Sequence, residues 1–150
     1  MTNLRSAKPF KAMHDITERA HIHQLVDAFY AAVRADDLLG PVFNALIPAG
    51  QWPAHLARMT DFWECNLLFR PTFKGNPMQL HRQVDARYGY ATDARHYDRW
   101  VALWCRTVDG LYTGEKAALA KGRAAKMGAQ LLSKVLEVKP AAGVQTSSFG

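Results

Sequence analysis

Six histidines are the side chains of this sequence best suited to ligate a metal or move a proton near neutral pH: His14, His21, His23, His55, His81 and His96. His14, His21 and His23 stand at or beside the start of an amphipathic segment, without an apolar neighbourhood of their own, and read as solvated. His55 and His81 differ, because each falls on an apolar helical face beside bulky residues. A buried imidazole with no polar partner is costly, so this placement asks for a ligand or a hydrogen-bond partner. Two histidines on separate helices, in a lining of aromatics and methionine, would suit a haem. Its iron takes a neutral imidazole, and its flat macrocycle needs a large apolar slot. Phe62, Trp63, Trp100 and Trp104 serve equally well as plain core, and composition alone does not separate the two readings.

Other chemistries fail on residue count. A di-iron bundle needs two Glu-x-x-His motifs and two further glutamates. One such motif is present, Glu18 to His21, and the chain has only three other glutamates. A nucleophilic triad needs an activated Ser or Cys on a defined turn, yet no G-x-S-x-G occurs and neither cysteine has an evident base nearby. Cys65 and Cys105 stand forty positions apart without a C-x-x-C pair, which excludes a zinc site of that type. Both lie among aromatic and aliphatic residues, so they are expected to be buried free thiols.

The elements that must position these residues read as helices throughout, with a period near 3.6 and no convincing strand alternation. A first helix is expected from about Thr17 to Ala35, burying Ile22, Leu25, Val26, Phe29 and Val33, with Asp15 and Glu18 as a capping box. Gly40-Pro41 marks a turn or a new short helix, and Phe43, Leu46 and Ile47 add a brief apolar turn. Pro53 suits the first position of a helix reaching about Phe69, with His55, Met59, Phe62 and Trp63 on one face. After Pro71 and a loop, Pro77 restarts a helix carrying Met78, His81, Val84 and Tyr88, ended by Gly89. Asp93 is placed to cap a fifth segment whose face holds Tyr97, Trp100, Val101, Trp104, Val108 and Leu111. A last helix runs from about Glu115 to Val138, with Leu119, Ala124, Met127, Leu131 and Val135 inward. The chain is therefore expected to be all-α, a single domain over 1–138, with 1–14 a flexible extension and 139–150 a disordered tail.

With 150 residues, 49% of them hydrophobic, one core of ordinary size is expected. No stretch approaches the ~20 apolar residues of a membrane span. Arg5, Lys8 and Lys11 precede no apolar run, so no signal peptide is expected and the cytoplasm is the expected compartment. The net charge of +6 raises the question of nucleic acid, but no matching fold signature accompanies it. The basic residues from Lys116 to Lys126 are expected to form a solvated helix face. Positive charge also suits an anionic cofactor.

Taken in order, the residues resemble a known family. Phe29-Tyr30, Val33-Arg34 and Leu39-Gly40-Pro41-Val42-Phe43-Asn44 are similar to the opening of the group III truncated haemoglobins. Trp52-x-x-His55, Phe62-Trp63, Gly75-x-Pro77 leading to His81, and Arg99-Trp100 follow with suitable spacing, so that the resemblance covers about Ile22 to Leu136. No single piece is specific; the ordered combination is. A Gly-Gly pair, usual in the other truncated groups, is missing here as in group III.

The resemblance implies a truncated globin fold, a helical sandwich around haem b, with His81 as the proximal iron ligand. It places Tyr30 and Trp100 as hydrogen-bond donors over the gas ligand, and His55 on the distal helix near the ligand's access path. Phe43 matches the phenylalanine on the haem face, and Met59, Trp63, Met78, Tyr88 and Trp104 complete the cofactor-binding set. Two departures stand out. The Arg82–Tyr97 stretch is longer than usual, leaving Arg82, Arg87, Tyr88 and Arg95 as alternatives for the propionates, and Trp104 is bulkier than expected. The implied ligands are dioxygen, carbon monoxide and nitric oxide, in a monomer or weak dimer without nucleic-acid or membrane partners. Three functions follow as expectations: reversible dioxygen binding, an enzyme of nitric-oxide or peroxide detoxification fed by a separate reductase, or a haem-free helical interaction module.

Overall fold

The computed structural model describes residues 12–71 and 93–138, with side chains as far as Ala129. Five α-helices order the described residues: α1 (Arg19–Ala35), α2 (Gly40–Leu46), α3 (Trp52–Leu68), α4 (Ala94–Leu111) and α5 (Glu115–Val138), with a 3-10 turn at Ala49–Gln51. Among the described residues there is no strand, and no helix is long and apolar enough to cross a membrane. The expected Pro77–Tyr88 helix and the two chain ends, 1–11 and 139–150, lie outside the described residues.

The apolar stripe of α1 is buried as its spacing requires, with Ile22, Leu25, Val26, Phe29, Tyr30 and Val33 all inward. α1 packs on α3 and on α4, and α4 packs on α5 across the short turn 112–114. Trp104 joins these layers. It is fully buried, stacks on Trp63 of α3 at 4.4 Å and 19°, and receives Phe29 edge-on at 5.0 Å. Its indole N–H donates to the Ala120 carbonyl of α5 at 3.1 Å, which satisfies a buried donor. The α5 surface beneath is small, Ala117, Ala120 and Ala124, and a Cβ on Gly128 would meet Val101 at 2.8 Å. Small residues here let the α4 and α5 backbones approach closely.

Ionic contacts pin the same layers. Arg19 of α1 reaches Asp61 at 2.8 Å and the buried Glu64 at 2.7 Å, and Arg70 adds a second cation to Glu64 at 3.4 Å. Arg99 of α4 reaches back to Asp36 at 2.7 Å, while Asp36 also accepts the amides of Leu38 and Leu39 and so shapes the turn after α1.

Three expectations need correcting. The box of Asp15 and Glu18 does not cap α1: Glu18 is the extended N-cap residue and makes no side-chain cap bond. Asp15 instead accepts the amides of Lys116 at 2.8 Å and Ala117 at 2.9 Å, capping α5 from a hundred residues away. The basic residues of α5 are not a purely solvated face. Lys121 pairs with Asp109 at 2.6 Å, Arg123 donates to the Asn66 carbonyl at 2.9 Å, and Lys116 lies 4.3 Å over the Phe69 ring. Cys65 and Cys105 are free, as expected, but half-buried rather than enclosed. The Asp93 cap on α4 is present, with His96 returning the second bond of the box.

Candidate ligand-binding site

Tyr30, Phe43, His55 and Trp100 come from four different helices and converge on one region. Tyr30 faces inward because it continues the α1 stripe one turn beyond Val26, and it is 5% exposed. Its ring lies 5.0 Å from His55 at 85°, 6.2 Å from Phe43 and 5.8 Å from Trp52. Burial raises the Tyr30 pKa well above the ordinary phenol value, so the hydroxyl keeps its proton. The Trp100 indole offsets part of that rise by directing its N–H towards the phenol oxygen. Trp100 is itself buried on α4, with Phe29 edge-on at 5.8 Å.

His55 projects from the first turns of α3, where Pro53 starts the helix without needing an amide donor. Its Nε2 atom is buried and has no hydrogen-bond partner among the described residues. Burial, aided by the charge of Arg58 three positions on, holds its pKa down to about 4. The ring is therefore neutral at pH 7, and one of its two nitrogens is an acceptor and the other a donor. What lies around it is aromatic: Trp52 sits 5.4 Å away at 85°, in addition to Tyr30. A phenol O–H, an indole N–H and an imidazole nitrogen thus meet in a mostly apolar shell. Such a shell can hold a small polar ligand by hydrogen bonds, which are stronger where water is excluded.

Met59 and Trp63 lie further along α3, at 7% and 3% exposure, on the same side as His55. Trp63 touches Phe62 edge-on and Trp104 face-on. Trp104 is 0% exposed, with its polar hydrogen already used by α5. Phe43 is half-buried at the edge of the core. His81, Met78 and Tyr88 lie outside the described residues, as do Arg82 and Arg87, while Arg95 pairs with Asp93 at the head of α4. Among the described residues no group of three metal-ligating side chains forms.

Two contributors escaped selection as site residues. Trp52 enters the sequence pattern only as a spacing mark for His55, yet it packs on both His55 and Tyr30; its signal was the i, i+3 relation on one helix face. Arg58 continues that row by another three positions, and the sequence held no sign that its charge would act on His55.

Comparison with known proteins agrees with this architecture. No protein-family pattern matches the chain. A group 3 truncated haemoglobin of Campylobacter jejuni is 28% identical over 96 residues, covering 63% of this chain and 72% of the relative. The crystal structure of a group III truncated haemoglobin from Campylobacter jejuni superposes with a TM-score of 0.73 at 23% identity, covering 83% of this chain and 95% of that one. The all-α arrangement of α1 to α5 is the truncated globin fold, and in sequence the chain is similar to a group III truncated haemoglobin.

Proposed function

We propose that the chain binds haem b through His81 and reversibly holds dioxygen, or another diatomic gas, beside Tyr30, His55 and Trp100. The observation that carries this reading is the His55 Nε2 atom, buried without a hydrogen-bond partner among the described residues, on a ring 5.0 Å from that of Tyr30. A neutral buried imidazole nitrogen left unsatisfied costs ~1–3 kcal/mol, a cost that a polar guest would offset. The residues fit the group: Phe43, Met59 and Trp63 supply an apolar lining, with the donors gathered on one side. The relative and the solved structure, both haemoglobins by name, support the same assignment.

Haem, when bound, would supply an iron able to take an imidazole and a small gas as ligands. The chain's residues do the rest. His81 would hold the iron. Tyr30, which keeps its proton, would donate a hydrogen bond from its hydroxyl to the gas, since its oxygen is already approached by the Trp100 N–H. Trp100 orients that phenol, and His55 offers a neutral nitrogen that can donate or accept. Trp52, packed on both Tyr30 and His55, would shield the donors from water.

Absorption spectroscopy of the purified protein, loaded with haem, tests the reading. A Soret band that shifts with carbon monoxide is expected, and His81→Ala should lose stoichiometric haem. Normal coordination retained in that variant would overturn the anchor. Loss of haem on His55→Ala alone would mean the two faces are reversed.

A further inference from the structure

A cavity lies on the surface where the end of α1, α2 and the head of α3 meet, against the outer side of Trp52. It is an open cleft of about 580 Å³, within the size range of small-molecule sites. Ala31, Ala35 and Ile47 form apolar walls, while Arg34, Asn44 and Trp52 bring the polar and aromatic groups.

Arg34 is held in place from two sides. Its guanidinium carbon lies 4.5 Å over the Trp52 ring, and its Nε donates to the Asn44 Oδ1 at 3.2 Å. The Asn44 amide is itself fixed, donating Nδ2 to the Arg34 carbonyl at 3.0 Å. Trp52 cannot drift either, being 3% exposed and wedged against Tyr30 and His55. Yet no carboxylate pairs with Arg34 among the described residues, unlike Arg19, Arg95 and Arg99. An exposed arginine that serves only solubility does not need a stacking partner and a doubly bonded amide. Stacking on an indole while offering the remaining N–H edge is how a guanidinium is prepared for a planar anion.

We propose that this cleft binds a small amphipathic carboxylate, its head on the Arg34 fork and its apolar body against Ala31, Ala35 and Ile47. One cation lines the cleft, so a monoanion matches the charge and a phosphate dianion does not. The planar fork matches a carboxylate in two parallel bonds. The alanine side chains leave room along α1 for a hydrocarbon body, which gains by leaving water.

Calorimetric titration of the purified full chain with octanoate tests the proposal, with acetate, octylammonium and inorganic phosphate as comparison probes. Octanoate should bind, and each comparison probe should bind about ten-fold more weakly or worse, a factor equal to ~1.4 kcal/mol. Arg34→Gln should weaken octanoate binding by about the same factor or more. Ala31→Phe, which keeps the arginine and fills the cleft, should abolish it. Arg34 and Ala31 are both exposed, so melting temperatures should hardly move. If Ala31→Phe does not fold, Asn44→Ala decides in its place, by releasing the guanidinium and lowering affinity. Octanoate binding that survives Arg34→Gln, equal binding of octylammonium or phosphate, or no binding of octanoate at millimolar concentration would each overturn the proposal.

Discussion

Removing the Asp15 carboxylate should destabilise the far end of the sequence rather than its own helix. Asp15 accepts the backbone amides of Lys116 at 2.8 Å and Ala117 at 2.9 Å, with Ile16 giving a third bond at 2.8 Å. The Lys116 and Ala117 amides belong to the first turn of α5, where no intrahelical carbonyl can reach them. Gly114 is bound into the same arrangement: it has φ +134, and a Cβ there would lie 2.5 Å from the Asp15 carboxyl carbon. Losing a helix cap costs ~1 kcal/mol. Ala117 is buried, so its orphaned amide adds a desolvation cost of ~1–3 kcal/mol. Asp15→Ala should then cost roughly 2–4 kcal/mol in all. At ~2–4 °C per kcal/mol for a chain of this size, melting should fall by ~4–16 °C. Asp15→Asn keeps one acceptor oxygen but turns an amide donor towards a backbone N–H, so it should lose about half as much. The effect also has a pH signature. Burial works against the Asp15 charge, but the amides of Lys116, Ile16 and Ala117 outweigh it and hold the pKa below the ordinary carboxylate value. A depressed acid stabilises the fold above its unfolded pKa of ~3.9 and loses that contribution as pH falls through the folded pKa. The gap between wild type and Asp15→Asn should therefore be full at pH 6 and narrow below about pH 4. Differential scanning calorimetry across that range measures both quantities. Melting of Asp15→Ala within about 1 °C of wild type, or a gap that widens in acid, would refute the capping argument.

On the proposed function, Tyr30→Phe should speed dioxygen release by roughly 10- to 100-fold, the equivalent of one lost hydrogen bond to a polarised acceptor at ~1.5–3 kcal/mol, and Trp100→Phe should speed it less, by releasing the phenol it orients. Carbon monoxide, which stays nearly neutral, should be released at almost unchanged rates, and equal effects on both gases in stopped-flow would mean the residues act by bulk. Because the Trp100 N–H is directed at the Tyr30 oxygen, the double variant should show non-additivity in a mutant cycle. The His55 pKa of about 4 lies below the unfolded value of ~6.5, so wild type should lose stability as pH falls from 6.5 towards 4. His55→Leu should flatten that slope in melting experiments, and parallel slopes would show that His55 is not held neutral. Thiol titration under denaturing conditions, before any reductant, should find two thiols per chain, whereas an intrachain bridge in the mass would contradict the free cysteines.

What the sequence determined by itself is local in physical origin. Helix periods placed the buried face of α1, and Pro53 and Asp93 marked the starts of α3 and α4, because caps and proline act within one turn of the chain. The inward positions of Tyr30 and Trp100 follow from the same periodicity. Their order with His55 carried the family resemblance, although each residue alone read as core. Tertiary structure decided whatever depends on residues far apart in the chain. Asp15 looked like the cap of its own helix, and only folding showed that it serves α5, because an acceptor goes to whichever unsatisfied amides are brought within reach. Trp104 reads from the sequence as one more aromatic on its helix face, and only packing brings its ring onto Trp63 and its N–H to the Ala120 carbonyl. The Lys116–Lys126 charges looked solvated, until Asp109, Asn66 and Phe69 arrived from other elements to engage three of them. The isolation of the His55 nitrogen and the stacking of Arg34 on Trp52 belong to the same class, since burial and the lack of a partner are properties of a packed neighbourhood that no spacing along a chain encodes.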